Sequence, residues 1–421
     1  MKTAGIICEY NPFHFGHTKQ IKSTRETLGE DSGVICVMSG NFVQRGDFAV
    51  FNKHARAEAA IRCGGDLVIE LPSPYALLSA EGFAAAGVHI LDSIGICDYI
   101  AFGSESGDIG ALREAAEAIV TDEADTLIRE WSGKGLSYAL ARQKAADALL
   151  GERSPIFSSP NNVLGIEYLK AISASGSSLI PMTVKRTGAA HDSESGCSAS
   201  AIRKLLLGGR GRQVTQEDAP RGVPGKQRGD APLRSDPLWE FMPYNATVVY
   251  MNEISAGRGP VSMKACELAM MSRLRAIKDF AKIPGASEGL DHRFLRYAAA
   301  EPTVGAILEK VKTKRYAMSR LRRMLMCACL GIDAEDTVEP PPYIRVLAMN
   351  NVGMKLLRAA RKKTQAPIIT KPAAVKELSP RAAELFNKEA AATDFYTLAY
   401  PDASKRAGGQ EWRTSPIVIE N

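Results

Sequence analysis

Short apolar runs alternate with longer helical patterns through the first half of the chain. An apolar run of about four to eight residues without polar alternation is typical of a strand buried on both faces of a parallel sheet. The predicted strands are residues 4–10, 33–38, 66–72, 99–106 and 179–183. The alternation predicts an α/β fold with a Rossmann-like, doubly wound parallel sheet.

The pattern changes after residue 207. Residues 208–237 are rich in glycine, proline, arginine and acidic residues and almost lack aliphatic ones, which predicts a flexible linker or loop. Beyond this segment the helical period dominates again. We therefore expect a sheet domain over residues 1–207 and a mainly helical domain over residues 238–421.

Composition narrows the class of protein. The chain has 421 residues, of which 45% are hydrophobic and 24% charged, as in ordinary soluble globular proteins. Its apolar stretches are shorter than the ~20 residues of a membrane span, and the first strand begins too early for a signal peptide. Eight cysteines without a C-x-x-C pair indicate free thiols in a reducing cytoplasm and no cysteine metal site.

The turn after the first strand carries the strongest chemical signal. Pro12 ends the strand, and His14 and His17 lie three residues apart at the start of a predicted helix. The N–H groups and dipole of a helix start favour an anion, and two imidazoles on one side of it can donate hydrogen bonds to the same phosphate. Gly16 would let the phosphate approach the backbone. Two ordinary loop histidines are the alternative, which is disfavoured because the chain has only six histidines.

Polar loops follow the other predicted strands, at the sheet edge where such folds bind ligands. Arg45 is a candidate clamp for a phosphate or carboxylate, or a solvated loop arginine. Gly103 leaves room for a base or ribose, or serves a tight turn. Asn161 or Asn162 caps the next helix, which leaves the other asparagine available to a ligand.

Two basic segments come later in the sheet domain. Arg186 emerges at the end of the fifth predicted strand. Residues 198–204 combine small hydroxyl residues at a helix start with Arg203 and Lys204, which predicts a second anion site.

Residues 312–323 form the densest basic run, with six cations and no acid. An apolar run follows at residues 324–330, which predicts a helix with one side in the core and the other towards a polyanion. A solvated basic face is the alternative. The net charge of +6 permits a nucleic-acid partner without requiring one. The predicted RNA-binding residues are Lys312, Lys314, Arg315, Arg320 and Arg323.

Together these motifs resemble the tRNA(Met) cytidine acetate ligase family of the H-x-G-H nucleotidyltransferase superfamily. The resemblance covers nearly the whole chain, and its motifs occur in family order. It rests on residues 9–14, 39–46, 66–72, 102–105, 159–165, 312–316, 341–347 and 367–371. Phe15 departs from the pattern, because relatives usually have a small polar residue there. Residues 208–237 also depart from it, because the segment is longer than in relatives.

The resemblance implies a nucleotidyltransferase-type fold and an ATP-dependent ligase. Such an enzyme activates acetate as acetyl-adenylate and transfers the acetyl group to N4 of the wobble cytidine of elongator tRNA(Met), giving N4-acetylcytidine. ATP would be a substrate and would bring Mg²⁺ with it, and no membrane is involved. The residues implied to contact ATP are Ile7, Glu9, Tyr10, Asn11, His14, Gly16, His17, Gly103, Asn162 and Arg186.

Catalysis in this scheme needs no protein nucleophile. His14 and His17 would stabilise charge on the α- and β-phosphates, and Arg186 would neutralise the departing pyrophosphate. Two other functions remain open at this point. One is nucleotidyl transfer to a small metabolite, which the first half of the chain fits equally well. The other is RNA binding without catalysis.

Overall fold

The structure is a computed structural model that describes residues 1–186, 198–208 and 240–420. In these ranges an eight-stranded sheet forms the centre, with a separate two-stranded hairpin, β3–β4, beside it. The strands are β1 (Thr3–Cys8), β2 (Gly33–Ser39), β3 (Phe42–Val43), β4 (Asp47–Phe48), β5 (Leu67–Leu71), β6 (Tyr99–Ser104), β7 (Ile180–Lys185), β8 (Ile344–Asn350), β9 (Ile368–Ile369) and β10 (Ile417–Ile419).

Helices cover both faces of the sheet and make up most of the later half. Those before the second undescribed gap, residues 209–239, are α1 (Phe15–Leu28), α2 (Lys53–Arg62), α3 (Ser73–Ala76), α4 (Ala80–Ser93), α5 (Ile109–Ala118), α6 (Asp122–Gly133), α7 (Tyr138–Leu150), α8 (Pro160–Ser175) and α9 (Ala199–Gly208). Those after it are α10 (Tyr244–Ser255), α11 (Glu267–Ala276), α12 (Leu290–Ala300), α13 (Val304–Val311), α14 (Met318–Leu330), α15 (Asn351–Ala360), α16 (Pro380–Thr397) and α17 (Gln410–Arg413).

The strand order is β10-β8-β5-β2-β1-β6-β7, with β9 beside β8. The five strands β1, β2, β5, β6 and β7 run parallel, so their carboxyl ends meet at one edge of the sheet. The predicted doubly wound parallel sheet is therefore confirmed. β8 pairs antiparallel with β5, so β8 and its parallel neighbours β9 and β10 run in the opposite direction.

The sheet also takes strands from the later part of the chain. β8, β9 and β10 come from residues beyond 340 and join the strands of the first half. The domain boundaries given above stay predictions, but the sheet itself is not confined to residues 1–207. Nearly all of the predicted linker, from residue 209 onwards, lies outside the described residues.

Two apolar cores explain why the first strands lack polar alternation. Successive side chains of a strand point to opposite faces. Ile7 and Val37 pack with α4 and α8 on one face, whereas Ile6 and Cys36 pack with α1 and α2 on the other. Both faces are covered, so an apolar residue fits at each position.

A third core holds the helices α11 to α14 together and includes the β3–β4 hairpin. Phe42 and Phe48 of this hairpin are buried and lie 5.8–6.0 Å from the ring of Tyr396 on α16. The helical part is therefore docked on the loop that follows β2.

A buried ion cluster ties α2 and β5 to α16 and α17. Lys53 Nζ lies 2.6 Å from Glu70, 2.7 Å from Glu411 and 3.4 Å from Glu389, and Arg345 lies 3.3 Å from Glu411. Burial acts to raise the pKa of Glu411, but the charges of Lys53 and Arg345 outweigh it and bring this pKa to about 2. Each buried charge in the cluster is compensated by its partners, so removing one side chain should lower the free energy of unfolding by several kcal/mol.

In the three described ranges, no helix is both long and apolar enough to cross a membrane. The same ranges hold no group of three His, Cys, Asp or Glu side chains that could bind a metal ion.

Candidate nucleotide-binding site

The loop between β1 and α1 fixes its two histidines through its own backbone. His14 caps α1, and its Nδ1 accepts a hydrogen bond from the N–H of Gly16 at 3.0 Å. The Nδ1 of His17 in turn accepts the backbone N–H of His14 at 3.2 Å. This reciprocal capping sets the two ring centroids 3.8 Å apart.

The capping also fixes the chemistry of both rings. A neutral imidazole whose Nδ1 accepts a hydrogen bond carries its proton on Nε2. Burial, with the charges of Arg186 and Arg203, lowers the pKa of His14 to about 4. Burial, with the charges of His14 and Arg186, lowers the pKa of His17 well below its ordinary value. Both rings are therefore neutral near pH 7, with an Nε2–H as the remaining donor.

Gly16 has a local packing role besides the one predicted from the sequence. A Cβ at this position would lie 2.8 Å from Cε1 of His14, which is too close. The glycine thus makes room for the His14 ring in addition to leaving the exposed backbone bare.

Arg186 lies beside the same loop. Its backbone N–H donates to the carbonyl of Ser104 at 2.8 Å, which continues the path of β7 next to β6. Its side chain runs along Gly103, where an added Cβ would lie 3.1 Å from its Cγ. Since its charge acts on both histidines, the fold brings together Gly103 and the three residues predicted to be catalytic.

Arg203 adds a second cation from α9. Its Nη1 donates to the carbonyl of Asn11 at 2.7 Å, and its Nη2 donates to Ser200 Oγ at 3.0 Å. Ser198 Oγ accepts the N–H of Ala201 at 3.3 Å, at the start of the helix. The segment 198–204 therefore lies against the histidine loop.

Three residues predicted to contact ATP have buried side chains that contact other parts of the protein. Ile7 packs in the core, where a Cβ on Gly87 would lie 2.6 Å from its Cδ1. The Tyr10 ring packs 4.8 Å from that of His17. Asn11 Oδ1 accepts the N–H of Val50 at 2.8 Å. Only their backbone is open to a role at the nucleotide.

The prediction that Asn161 or Asn162 caps α8 is wrong. The cap position is Ser159, and both asparagines bond instead to the loop after β6. Asn162 Oδ1 accepts the N–H groups of Glu105 at 2.9 Å and Ser106 at 3.0 Å. The Glu105 carboxylate accepts Asn161 Nδ2 at 2.6 Å and the Asn162 N–H at 2.9 Å. Asn162 therefore positions the loop, beside a cleft of about 380 Å³ that it helps to line.

Arg56 is a supporting residue that the sequence did not indicate. It is fully buried, and its guanidinium donates to four backbone carbonyls. The acceptors are Phe51 at 3.0 Å, Glu9 at 2.5 Å, Ser39 at 3.0 Å and Gly40. One side chain thus joins the carboxyl ends of β1 and β2. In an alanine-rich helix this arginine looks solvated, so no sequence signal identifies it.

The loop is also held by Tyr250 of α10 and by Phe241, which precedes this helix. The N–H of Phe13 donates to the Tyr250 hydroxyl at 2.9 Å, and the N–H of Phe15 donates to the carbonyl of Phe241 at 3.2 Å. The Tyr250 ring stacks on Phe51 with centroids 4.4 Å apart. These contacts join residues more than two hundred positions apart, so no local sequence pattern predicts them.

The predicted RNA-binding residues lie partly before α14, which begins at Met318. Several of them have intramolecular partners. Lys312 Nζ donates to two carbonyls, and Arg315 and Arg320 lie 2.7 Å and 3.6 Å from Glu288. Burial lowers the pKa of Arg323. Lys314 is exposed.

The β3–β4 turn connects this basic segment to the histidine loop. The N–H of Gln44 donates to Glu9 Oε1 at 2.7 Å. Gly46 has a φ of +72°, and a Cβ there would lie 2.4 Å from the backbone between Arg322 and Arg323. Asp47 lies 3.8 Å from Arg322. The start of α14 therefore borders the site.

Comparison with known proteins gives matches over the whole chain. The family model of the HIGH nucleotidyl transferases matches residues 1–411. A tRNA(Met) cytidine acetate ligase of Acetivibrio thermocellus is 36% identical, and one of Thermosipho africanus is 34% identical; each alignment covers 100% of both chains. The crystal structure of Thermotoga maritima TmcAL bound with alpha-thio ATP matches with a TM-score of 0.87 at 32% identity, over 100% of both chains.

Full-length similarity at this identity, on the same fold, goes well beyond a shared nucleotide-binding motif. The chain belongs to the tRNA(Met) cytidine acetate ligase family, within the HIGH nucleotidyl transferases.

Proposed function

We propose that this protein is a ligase that uses ATP to activate acetate as acetyl-adenylate and then acetylates N4 of the wobble cytidine of elongator tRNA(Met). Membership of the family supports the overall reaction. The observation that carries the chemistry is the pair of neutral imidazoles, each with its Nε2–H left as donor, beside Arg186 and Arg203. A tRNA substrate would place the protein in the cytoplasm.

In the first step an acetate oxygen attacks the α-phosphorus of ATP. The new O–P bond forms as the bond to the β-phosphate oxygen breaks, and pyrophosphate leaves with the electron pair. His14 and His17 donate hydrogen bonds to the charge that develops on the phosphates, and Arg186 and Arg203 neutralise the pyrophosphate. Mg²⁺ bound to the triphosphate would neutralise part of the negative charge of the phosphates.

The contacts with ATP divide into two kinds. His14, His17, Arg186 and the bare backbone at Gly16 face the nucleotide directly, and Gly103 lies beside it next to the Arg186 side chain. Ile7, Tyr10, Asn11 and Asn162 act by holding the backbone that contacts it, since their side chains are engaged within the protein.

In the second step the tRNA must reach the acetyl group. The segment containing Lys312, Lys314, Arg315, Arg320 and Arg323 is our proposed RNA surface. Its position supports this role, because α14 adjoins the β3–β4 turn next to the site. The exposed Lys314 can bind a phosphate directly. Arg315 and Arg320 would have to break their ion pairs with Glu288 before binding one.

Two measurements on the purified chain test the function. ATP–pyrophosphate exchange should depend on acetate. Mass analysis of the nucleosides of tRNA(Met) incubated with ATP and acetate should find N4-acetylcytidine at the wobble position. A stable nucleotidyl product formed without RNA would instead support transfer to a small metabolite, and failure to bind ATP would support RNA binding without catalysis.

A further inference from the structure

Glu9 is the first residue after β1 and lies at the carboxyl edge of the sheet, half-buried. Two bonds fix its position. Its Oε1 accepts the N–H of Gln44 at 2.7 Å, and its carbonyl accepts Arg56 Nη1 at 2.5 Å. The carboxylate is thus anchored on one oxygen, from the side of the β3–β4 turn.

The surroundings of this carboxylate are cationic. Arg56 of α2, Arg45 of the β3–β4 turn and Arg203 of α9 all act on it, and each lowers its pKa. Burial outweighs them, so the pKa of Glu9 lies above its ordinary value. The buried Tyr168 hydroxyl of α8 lies near enough to interact electrostatically with Glu9, and burial raises the pKa of this tyrosine. Glu9 is therefore more basic than a solvated glutamate.

A carboxylate side chain is a poor direct ligand for a triphosphate, because the charges repel. The contact with ATP implied by family resemblance is accordingly better served by the Glu9 backbone. The side chain then needs another partner, and a carboxylate suits a donor such as an amine. In nucleic-acid recognition, glutamate accepts a hydrogen bond from N4 of cytosine.

We propose that the Glu9 carboxylate binds the exocyclic amine of the acceptor cytosine and takes up its proton during acetyl transfer. The inference rests on the function proposed above. The N4–C bond forms at the acetyl carbonyl, the C–O bond to the adenylate breaks, and AMP leaves with the electron pair. The proton from N4 passes to Glu9 and from there to water.

The β3–β4 turn supports this placement from the RNA side. Gln44 anchors Glu9, while two residues later Gly46 packs on the backbone of α14. An RNA bound along residues 312–323 would therefore present a base close to Glu9.

Glu9→Gln is the decisive variant. The amide keeps an oxygen for the Gln44 N–H but cannot accept the proton. The two half-reactions are measured separately, as acetate-dependent ATP–pyrophosphate exchange and as single-turnover transfer to tRNA(Met). We expect transfer to fall about 100-fold or more relative to exchange, which is the usual range for loss of a general base.

The pH profile supplies a second readout. In the wild type, single-turnover transfer should decline as the pH falls through the raised pKa of Glu9, and this acidic limb should be missing in Glu9→Gln. Glu130→Gln is the control, because this carboxylate of α6 forms a solvent-exposed pair with Lys134. It should keep both the ratio of half-reactions and the acidic limb.

Equal losses in exchange and transfer, or no loss in either, would overturn the role of Glu9. If Glu9→Gln does not fold, a wild-type transfer step without an acidic limb overturns it as well. Failure of the proposed function itself is distinguishable, since folded wild-type protein would then make no N4-acetylcytidine from ATP and acetate.

Discussion

The histidine loop and the basic segment 312–323 both stand out in the sequence, yet the fold treats them differently. In the loop, each imidazole bonds to a backbone N–H within three residues and keeps its outer nitrogen available. In the basic segment, Arg315 and Arg320 share Glu288, which is more than twenty residues away. The geometry of a motif can be predicted from the sequence when its hydrogen bonds form within a few residues. The ion-pair partners of a run of charged residues cannot be predicted in this way.

The sharpest test of the loop is removal of both imidazoles. In His14→Ala with His17→Ala we expect acetate-dependent ATP–pyrophosphate exchange to fall by at least about 10²–10³, the usual loss for one transition-state donor. His292→Ala is the matched control, since this histidine is exposed on α12. Normal exchange in the double variant would refute the assigned roles.

The Lys53→Met variant tests how much the stability of the fold that carries both regions depends on the buried ion cluster. Three carboxylates would lose their central cation, so the free energy of unfolding should fall by about 3–5 kcal/mol in denaturant titration. Lys22→Met, which removes a solvated i,i+4 pair with Glu26 at 3.7 Å, should change it by less than about 0.5 kcal/mol. Equal free energies of unfolding in the Lys53→Met and Lys22→Met variants would mean that the cluster does not stabilise the fold.

Gly16→Ala tests whether local packing sets the position of the His14 ring. The new Cβ would press on Cε1 at 2.8 Å and displace the ring, so exchange should slow by up to about 10²-fold. Gly133→Ala, which meets nothing within 4 Å, should have wild-type exchange. Full activity of the Gly16→Ala variant would show that the His14 ring can move aside without loss of function.

The smallest effects are expected in the basic segment. Lys314→Ala with Arg315→Ala should weaken binding of tRNA(Met) and reduce the slope of log K against log salt by about one to two. Lys355→Ala with Arg358→Ala is the control, because these exposed cations lie on α15, which begins at the opposite edge of the sheet.

Glu288→Gln sharpens the same test. It should release Arg315 and Arg320 from their shared carboxylate, and so strengthen RNA binding slightly, by less than about 1 kcal/mol. Unchanged affinity in both this variant and the double alanine variant would place the RNA surface elsewhere.

The strands and the histidine loop were predictable because their signals are local. β1, β2 and β5 are apolar runs bounded within a few residues of the predicted limits, since burial on both faces demands such runs. The two histidines follow a strand and precede a helix, which is enough to place them at the carboxyl edge.

The remaining features depend on distant partners. The asparagines of α8 look like caps, but Glu105, more than fifty residues earlier, competes for them. Arg56 and Lys53 look like solvated helix residues, but the fold surrounds them with carbonyls and carboxylates. The antiparallel entry of β8 beside β5 joins segments about 280 residues apart. No local pattern encodes any of these pairings.

The β3–β4 hairpin joins the helical half of the protein to the edge of the sheet. Its phenylalanines fill the interior of the helical half, while its turn holds Glu9 at the edge of the sheet. A fragment ending at residue 207 would leave these two aromatic rings in water, and the hairpin whose turn anchors Glu9 would lose its packing. Loosening of the helical half should therefore disturb the position of Glu9, and we expect activity to fall before the sheet itself unfolds or together with it.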